Sequence, residues 1–183
     1  MIDLALLQSI SYMAGALGVC VGALSFAFNM RATTKNRRAS LTNNLMNSFL
    51  SEEGMKRWNE LLTMNWKNFE DYHRKYDSTV NPDNFAKRES FWNTCDLIGY
   101  QYREGLVDIG TVYNAGGFLI VESWLKFKSI IEEYRKTEYA IDEYENYEYV
   151  ANALIRIKEK RDPSYMKKFK EAQDRYAMST SNP

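Results

Sequence analysis

The sequence predicts an all-α protein, in which a single N-terminal transmembrane helix is followed by a small cytoplasmic multi-helix domain. Three observations carry that prediction. Leu4 to Met30 runs without a charged side chain, and roughly 25 residues at about 1.5 Å of rise each span a hydrocarbon core of about 30 Å. Only three prolines and nine glycines punctuate the 183 residues, and Gly15, Gly18 and Gly22 all fall inside the apolar run. Between the breaks lie stretches rich in Leu, Met, Glu, Lys, Arg and Tyr, none of which sustains an alternation of apolar and polar residues. The expected layout is an anchor at 1–30, a basic juxtamembrane segment and helix extension at 31–51, a cytoplasmic helical domain at 52–178 and a polar tail at 179–183.

Charge sets the orientation of the anchor. Arg31, Lys35, Arg37 and Arg38 follow it with no acid before Glu52, whereas Asp3 precedes it without a basic partner. The positive-inside rule then places the N-terminus outside a cell membrane and the C-terminal domain in the cytoplasm. A secretory signal would carry its charge ahead of a shorter apolar segment and end on small residues, unlike Phe26-Ala27-Phe28. Gln8, Ser9, Ser11 and Ser25 dilute the run as they would a buried soluble helix. A core helix, however, has no reason for asymmetric flanking charge. Over the whole chain 24 basic side chains balance 24 acidic ones, which argues against a nucleic-acid partner. Cys20 in the span and Cys95 elsewhere provide no disulfide framework and no thiol metal cluster.

Within the anchor, Ala14, Gly18, Gly22 and Ser25 fall close to one helical face, with Ser11 and Gly15 beside it. Small residues let helix backbones approach closely in lipid, so this face is expected to pack on another membrane subunit or on a second copy. Ala39, Leu41, Leu45, Met46 and Phe49 recur at helical spacing and carry the helix past the basic cluster, whose four charges also suit anionic headgroups. Ser51-Glu52-Glu53 reads as an N-cap followed by first-turn acids, opening a helix through Met55, Trp58, Leu61 and Leu62.

Residues 65–83 lose the pattern and end at Asn81-Pro82, which predicts an internal loop containing His73, the only histidine. A lone histidine without ligand spacing is read as a surface side chain. A helix is expected from about Asn84 to Glu104, buried through Phe85, Phe91, Trp92, Cys95, Ile98 and Tyr102 and stopped at Gly105. Asp108 caps a short helix through Val112 and Tyr113, and Gly116-Gly117 breaks the chain without any phosphate-loop signature. The next helix, Phe118 to Lys136, offers Leu119, Ile120, Trp124, Phe127, Ile130, Ile131 and Tyr134 for burial. Glu122, Lys126 and Lys128 keep it from being a second span. An acidic, tyrosine-rich stretch, Glu138 to Glu148, leads to an amphipathic pattern through Val150, Leu154 and Ile157. Asp162-Pro163 then caps and opens a last helix through Tyr165, Phe169 and Tyr176. Its Lys167, Lys168 and Lys170 are available to that acidic stretch or to an anionic membrane.

One spacing pattern runs through these helices: Cys95-Asp96-Leu97-Ile98-Gly99, then Gly105, Leu106 and Asp108, then Gly117, Trp124, Ile130 and Arg135, and finally an aromatic-acidic helix near Tyr147 to Leu154. In this pattern the chain resembles an uncharacterised prokaryotic family, a domain of unknown function, with one N-terminal membrane span and a helical cytoplasmic part. Asp96 stands where the resemblance would place glutamate. The resemblance implies an anchor and a helical domain, and no reaction.

The usual catalytic constellations are missing from the sequence: there is no paired Cys/His spacing, no GxSxG, no Walker loop and no pair of ExxH motifs for a carboxylate-bridged metal site. The remaining polar candidates are Asp96, Glu104, Asp108, Trp124, Glu132 and Arg135, expected to form a buried cluster between the two strong helices, as a structural ion pair or a ligand site. The sequence therefore points to a non-catalytic, cofactor-free accessory subunit or scaffold of a membrane protein complex, partnered by the bilayer and by other membrane subunits or itself. The alternative is a membrane-tethered sensor or ligand-binding module.

Overall fold

The structure, a computed structural model, describes residues 4–136 and 141–180; the side chains of Leu6, Lys35, Arg38, Ala39, Leu41, Thr42, Asn43, Leu45, Met46, Ser48 and residues 173–180 are not among those described. All regular elements among these residues are helices: α1 (Leu4–Leu50), α2 (Glu52–Thr63), α3 (Phe69–Tyr76), α4 (Pro82–Arg103), α5 (Ile109–Asn114), α6 (Gly117–Tyr134), α7 (Glu145–Arg161) and α8 (Tyr165–Thr180). The chain divides into two compact units, one up to Leu41 and one from Thr42. That division falls inside the expected juxtamembrane segment.

In the first unit, Leu7–Thr34 is long and apolar enough to cross a membrane, with a mean hydropathy of 1.7 and none of its apolar window buried. Leu17, Val19 and Phe26 are each about two-thirds exposed or more. Among the described residues nothing covers the apolar surface of this stretch. Serine hydroxyls turn inward on the helix instead, Ser11 Oγ donating to the Leu7 carbonyl at 3.0 Å and Ser9 Oγ to that of Ala5 at 2.9 Å.

The second unit begins within the last turns of α1, where Phe49 is buried edge-on against Phe91 of α4 at 5.4 Å. Ser51 caps α2 as its sequence predicts, its Oγ accepting from the Gly54 amide at 3.0 Å. The expected loop at 65–83 instead contains α3. Asn68 caps it through the Asp71 amide at 2.9 Å, Glu70 and Asp71 occupy its first turn, and His73, Arg74 and Lys75 its last. What holds it is aromatic rather than aliphatic burial: Trp66 stacks on Phe127 at 5.3 Å and meets Tyr72 at 5.1 Å, while Phe69 meets Tyr134 at 5.3 Å. Asn81 and Pro82, expected as a turn, are the cap and first residue of α4. Gly105, in the left-handed region at φ 67°, ends that helix, and Asp108 caps α5 through Thr111.

The last boundary also differs from expectation. Asp162 caps no helix through Pro163; its Oδ1 accepts from the Ser164 amide at 3.0 Å, and α8 begins only at Tyr165. Tyr176 has no described side chain, and residues 138–140 of the acidic stretch and 181–183 of the polar tail lie outside the described residues.

The most extensive helix pair is α4 on α7, followed by α6 on α7. Gly99 makes the first pairing possible. A methyl group there would overlap the carbonyl group of Asn146 in the first turn of α7, so the two backbones meet directly. Around this contact lie Trp92, Cys95, Ile98, Leu119, Trp124, Phe127, Tyr147, Val150 and Leu154, all essentially inaccessible. Gly99→Ala should therefore cost about 3 kcal/mol or more of unfolding free energy, at the upper end of overpacking penalties because the obstacle is backbone. Gly18→Ala, whose added methyl meets nothing in the chain, should leave the urea midpoint of the tryptophan fluorescence unchanged.

Candidate functional site

Polar side chains converge on the start of α7. Tyr144, the residue before that helix, is buried and holds φ 57° and ψ 30°, a left-handed conformation that costs a bulky residue on the order of 1–3 kcal/mol. It supplies no side-chain cap to its own helix. The cap comes from another helix instead: Asp96 of α4 accepts the Tyr147 amide on Oδ1 at 2.9 Å and the Asn146 side-chain amide on Oδ2 at 3.2 Å. A carboxylate at a helix N-terminus satisfies orphan donors and complements the dipole.

From the other side, Arg135 at the end of α6 donates through Nε to the Glu143 carbonyl at 2.7 Å and through Nη1 to Glu148 Oε2. Trp124 is buried with its ring edge-on to Tyr147 at 5.1 Å. Ser123 Oγ donates to the Leu119 carbonyl at 2.6 Å and takes the Tyr147 hydroxyl as its second partner. Burial pushes both the Tyr147 phenol and the Cys95 thiol well above their ordinary ranges. Both stay protonated at neutral pH, which removes the thiolate that nucleophilic chemistry at Cys95 would need.

A second cluster abuts the first. Arg88 of α4 is fully buried, its guanidinium carbon 5.1–5.2 Å from the ring centres of Tyr72, Phe85 and Trp92. Nη1 donates to the Tyr76 carbonyl at 3.1 Å and Nη2 lies 3.7 Å from Glu89 Oε1, but neither Nε nor Nη2 has a hydrogen-bond acceptor. The Tyr72 hydroxyl and the Trp92 indole N–H are buried and unpartnered as well. Tyr144 closes the arrangement, its hydroxyl donating to Glu89 Oε2 and its ring meeting Trp92 at 5.3 Å. Burial, then the nearby Glu89 charge, raises the Glu143 carboxyl above its usual range.

The residues singled out in the sequence thus separate into three places. Asp96, Trp124 and Arg135 all act on the start of α7, yet Asp96 and Arg135 bind different groups there and form no ion pair with each other. Glu104 is exposed at the C-cap of α4, Asp108 is engaged in capping α5, and Glu132 lies 3.6 Å from Lys128 on the surface of α6. In α1, Ser11, Ala14, Gly15, Gly18, Gly22 and Ser25 are exposed, and the three glycines have open space where a side chain would stand. Arg31 and Arg37 are exposed, while the side chains of Lys35 and Arg38 lie outside those described. Among the described residues no three His, Cys, Asp or Glu side chains are grouped to hold a metal ion.

Arg88, Glu89, Ser123 and Tyr144 are the site residues that the sequence reading missed. Arg88 carried a usable signal, since it falls on the same stripe as Asn84, Phe91, Trp92 and Cys95, all buried. Nothing in the sequence around Tyr144 marks a left-handed residue.

A family model described as a domain of unknown function, DUF4760, matches residues 12–154, from within the apolar helix to the middle of α7. No curated protein and no solved structure matches the chain.

If Asp96 serves as the cap of α7, its variants should grade by acceptor chemistry. Asp96→Ala should cost about 1–2 kcal/mol and speed hydrogen exchange at the Tyr147 amide, whereas Asp96→Asn, which keeps one oxygen acceptor, should retain most of that protection. Equal exchange in the two variants would exclude the capping role.

Proposed function

The chain belongs to the DUF4760 family, and from that premise we propose that it works as a non-catalytic single-pass membrane protein, an accessory subunit or scaffold of a membrane complex. The observation that carries this is the 28-residue stretch Leu7–Thr34, with no part of its apolar window buried by its own chain. Large apolar side chains left in water each forgo roughly 1.5–3 kcal/mol, so a helix bare on every side calls for lipid or protein around it. Arg31, near the end of this stretch, and Lys35, Arg37 and Arg38 just beyond it favour a cytoplasmic location for the helical unit. The open face of Gly15, Gly18 and Gly22 suits close packing by another transmembrane helix.

Support for a non-catalytic role comes from how the polar groups are employed. Asp96, Asp108 and Arg135 are engaged in capping helices or fixing the backbone before α7. One observation favours a second reading, a membrane-tethered ligand-binding module: the bare Nε and Nη2 of buried Arg88. Its Nη2, however, already faces Glu89 of the same helix.

The test is purification of the full chain in a mild detergent, with and without Gly18→Leu and Gly22→Leu. The expected result is a stoichiometric partner or a second copy retained by the native chain and reduced at least about tenfold in the double variant. Recovery of the native chain as a lone monomer under the mildest extraction would contradict the proposal.

A further inference from the structure

A quarter of the chain's basic side chains gather in one short stretch. Lys158, Lys160, Arg161, Lys167, Lys168 and Lys170 lie across the end of α7 and the start of α8, against only Glu159, Asp162 and Glu171. In a chain of zero net charge this is a local cationic concentration. Five of the six are exposed, and only Lys158 is half-covered.

Few internal partners use this charge. Lys168 reaches Asp162 at 2.7 Å and Lys167 lies 3.9 Å from Glu171, both across exposed surface. Among the described residues, Lys160 and Lys170 make no ion pair, and none of the three α8 lysines reaches the described part of the acidic stretch before α7. The first lysine pair also has a local purpose, because the Lys168 ammonium, then Ser164, holds the Asp162 carboxyl down at about 2.

Aromatic rings are interleaved with these cations. Lys158 Nζ lies 4.9 Å from the ring centre of Tyr165 and 5.8 Å from that of Tyr113, and the Arg161 guanidinium lies 4.5 Å from the Tyr113 ring and donates to its hydroxyl at 3.2 Å. Tyr165, Met166 and Phe169 line the start of α8 and are only partly covered. The one substantial contact of α8 among the described residues is with α7. Lysines beside half-covered aromatic and thioether side chains, on a helix loosely held to its own fold, are the chemistry of a segment that lies at a lipid headgroup layer.

We infer that the α7–α8 junction is a second membrane contact, in which the exposed side chains of Lys160, Arg161, Lys167, Lys168 and Lys170 meet anionic phospholipid headgroups. This rests on the proposal that α1 spans a bilayer, since that span guarantees a lipid surface near the rest of the chain. Net positive charge of this size gains roughly fivefold in surface occupancy per unit at an anionic leaflet. A neutral leaflet offers no such gain.

The experiment places the full chain in nanodiscs of phosphatidylcholine alone and of phosphatidylcholine with 30% phosphatidylglycerol, by mole roughly the charge density of an anionic leaflet, and follows amide hydrogen exchange. Exchange at residues 160–172 should slow by about tenfold in the anionic discs while α4 and α6 exchange alike in both. The slowing should vanish in Lys167→Gln/Lys168→Gln/Lys170→Gln and in about 1 M salt, where the Debye length falls to about 3 Å. Equal exchange in the two compositions, or a slowing that survives both the substitutions and the salt, would overturn the inference while leaving the span intact. Failure of the chain to enter either disc would overturn the spanning reading and the lipid contact with it.

Discussion

The helical unit depends on a backbone-to-backbone contact, Gly99 of α4 against Asn146 in the first turn of α7. Only a residue without a side chain lets two helices meet at that distance, and the burial of Trp92, Cys95, Tyr147 and Leu154 follows from it. Close approach brings Asp96, one turn earlier on α4, within 2.9 Å of the Tyr147 amide. Packing and capping are therefore one arrangement. A change that separates the helices would leave the α7 N-terminus with unpartnered donors in a partly buried place, where each costs about 1–3 kcal/mol.

The polar groups around α7 behave accordingly. A left-handed tyrosine persists only where its surroundings over-determine it, and Tyr144 is fixed by Trp92 against its ring and Glu89 at its hydroxyl. Arg135 fixes the chain just before it through the Glu143 carbonyl. The result is a helix start held from α4 and from α6 at once. Arg88 is the exception, a buried cation enclosed by three rings with two nitrogens lacking acceptors. Its pairing with aromatic faces recovers part of the lost hydration, since a desolvated cation–π contact contributes about 2 kcal/mol.

Much of this was legible in the residues themselves. Ser51 and Asp108 are caps in the sequence and caps in the structure, and Gly105 stops α4 as its position announces. Helix α3 was only faintly legible, because Phe69, Tyr72 and Tyr76 fall at helical spacing but over eight residues that hold no aliphatic side chain. The polar cluster was half legible. Asp96, Trp124 and Arg135 do converge on one place, but they meet through α7, which a reading of α4 and α6 as a pair did not bring in. Which carboxylate caps which helix is set by tertiary approach, and spacing along one chain holds no record of it.

In the apolar stretch Leu7–Thr34 the described large side chains are exposed. Lipid around it is the claim on which the proposed role rests, and the chain carries its own probe. Cys20 lies within the Leu7–Thr34 stretch and is exposed, whereas Cys95 is buried in the helical unit. The most direct measurement is reaction of the full chain, in intact vesicles, with a membrane-impermeant maleimide. The account predicts that Cys20 stays unmodified until the bilayer is dissolved, because hydrocarbon excludes the charged reagent. Modification of Cys20 at the rate of a free thiol in water, with the vesicles intact, would contradict it.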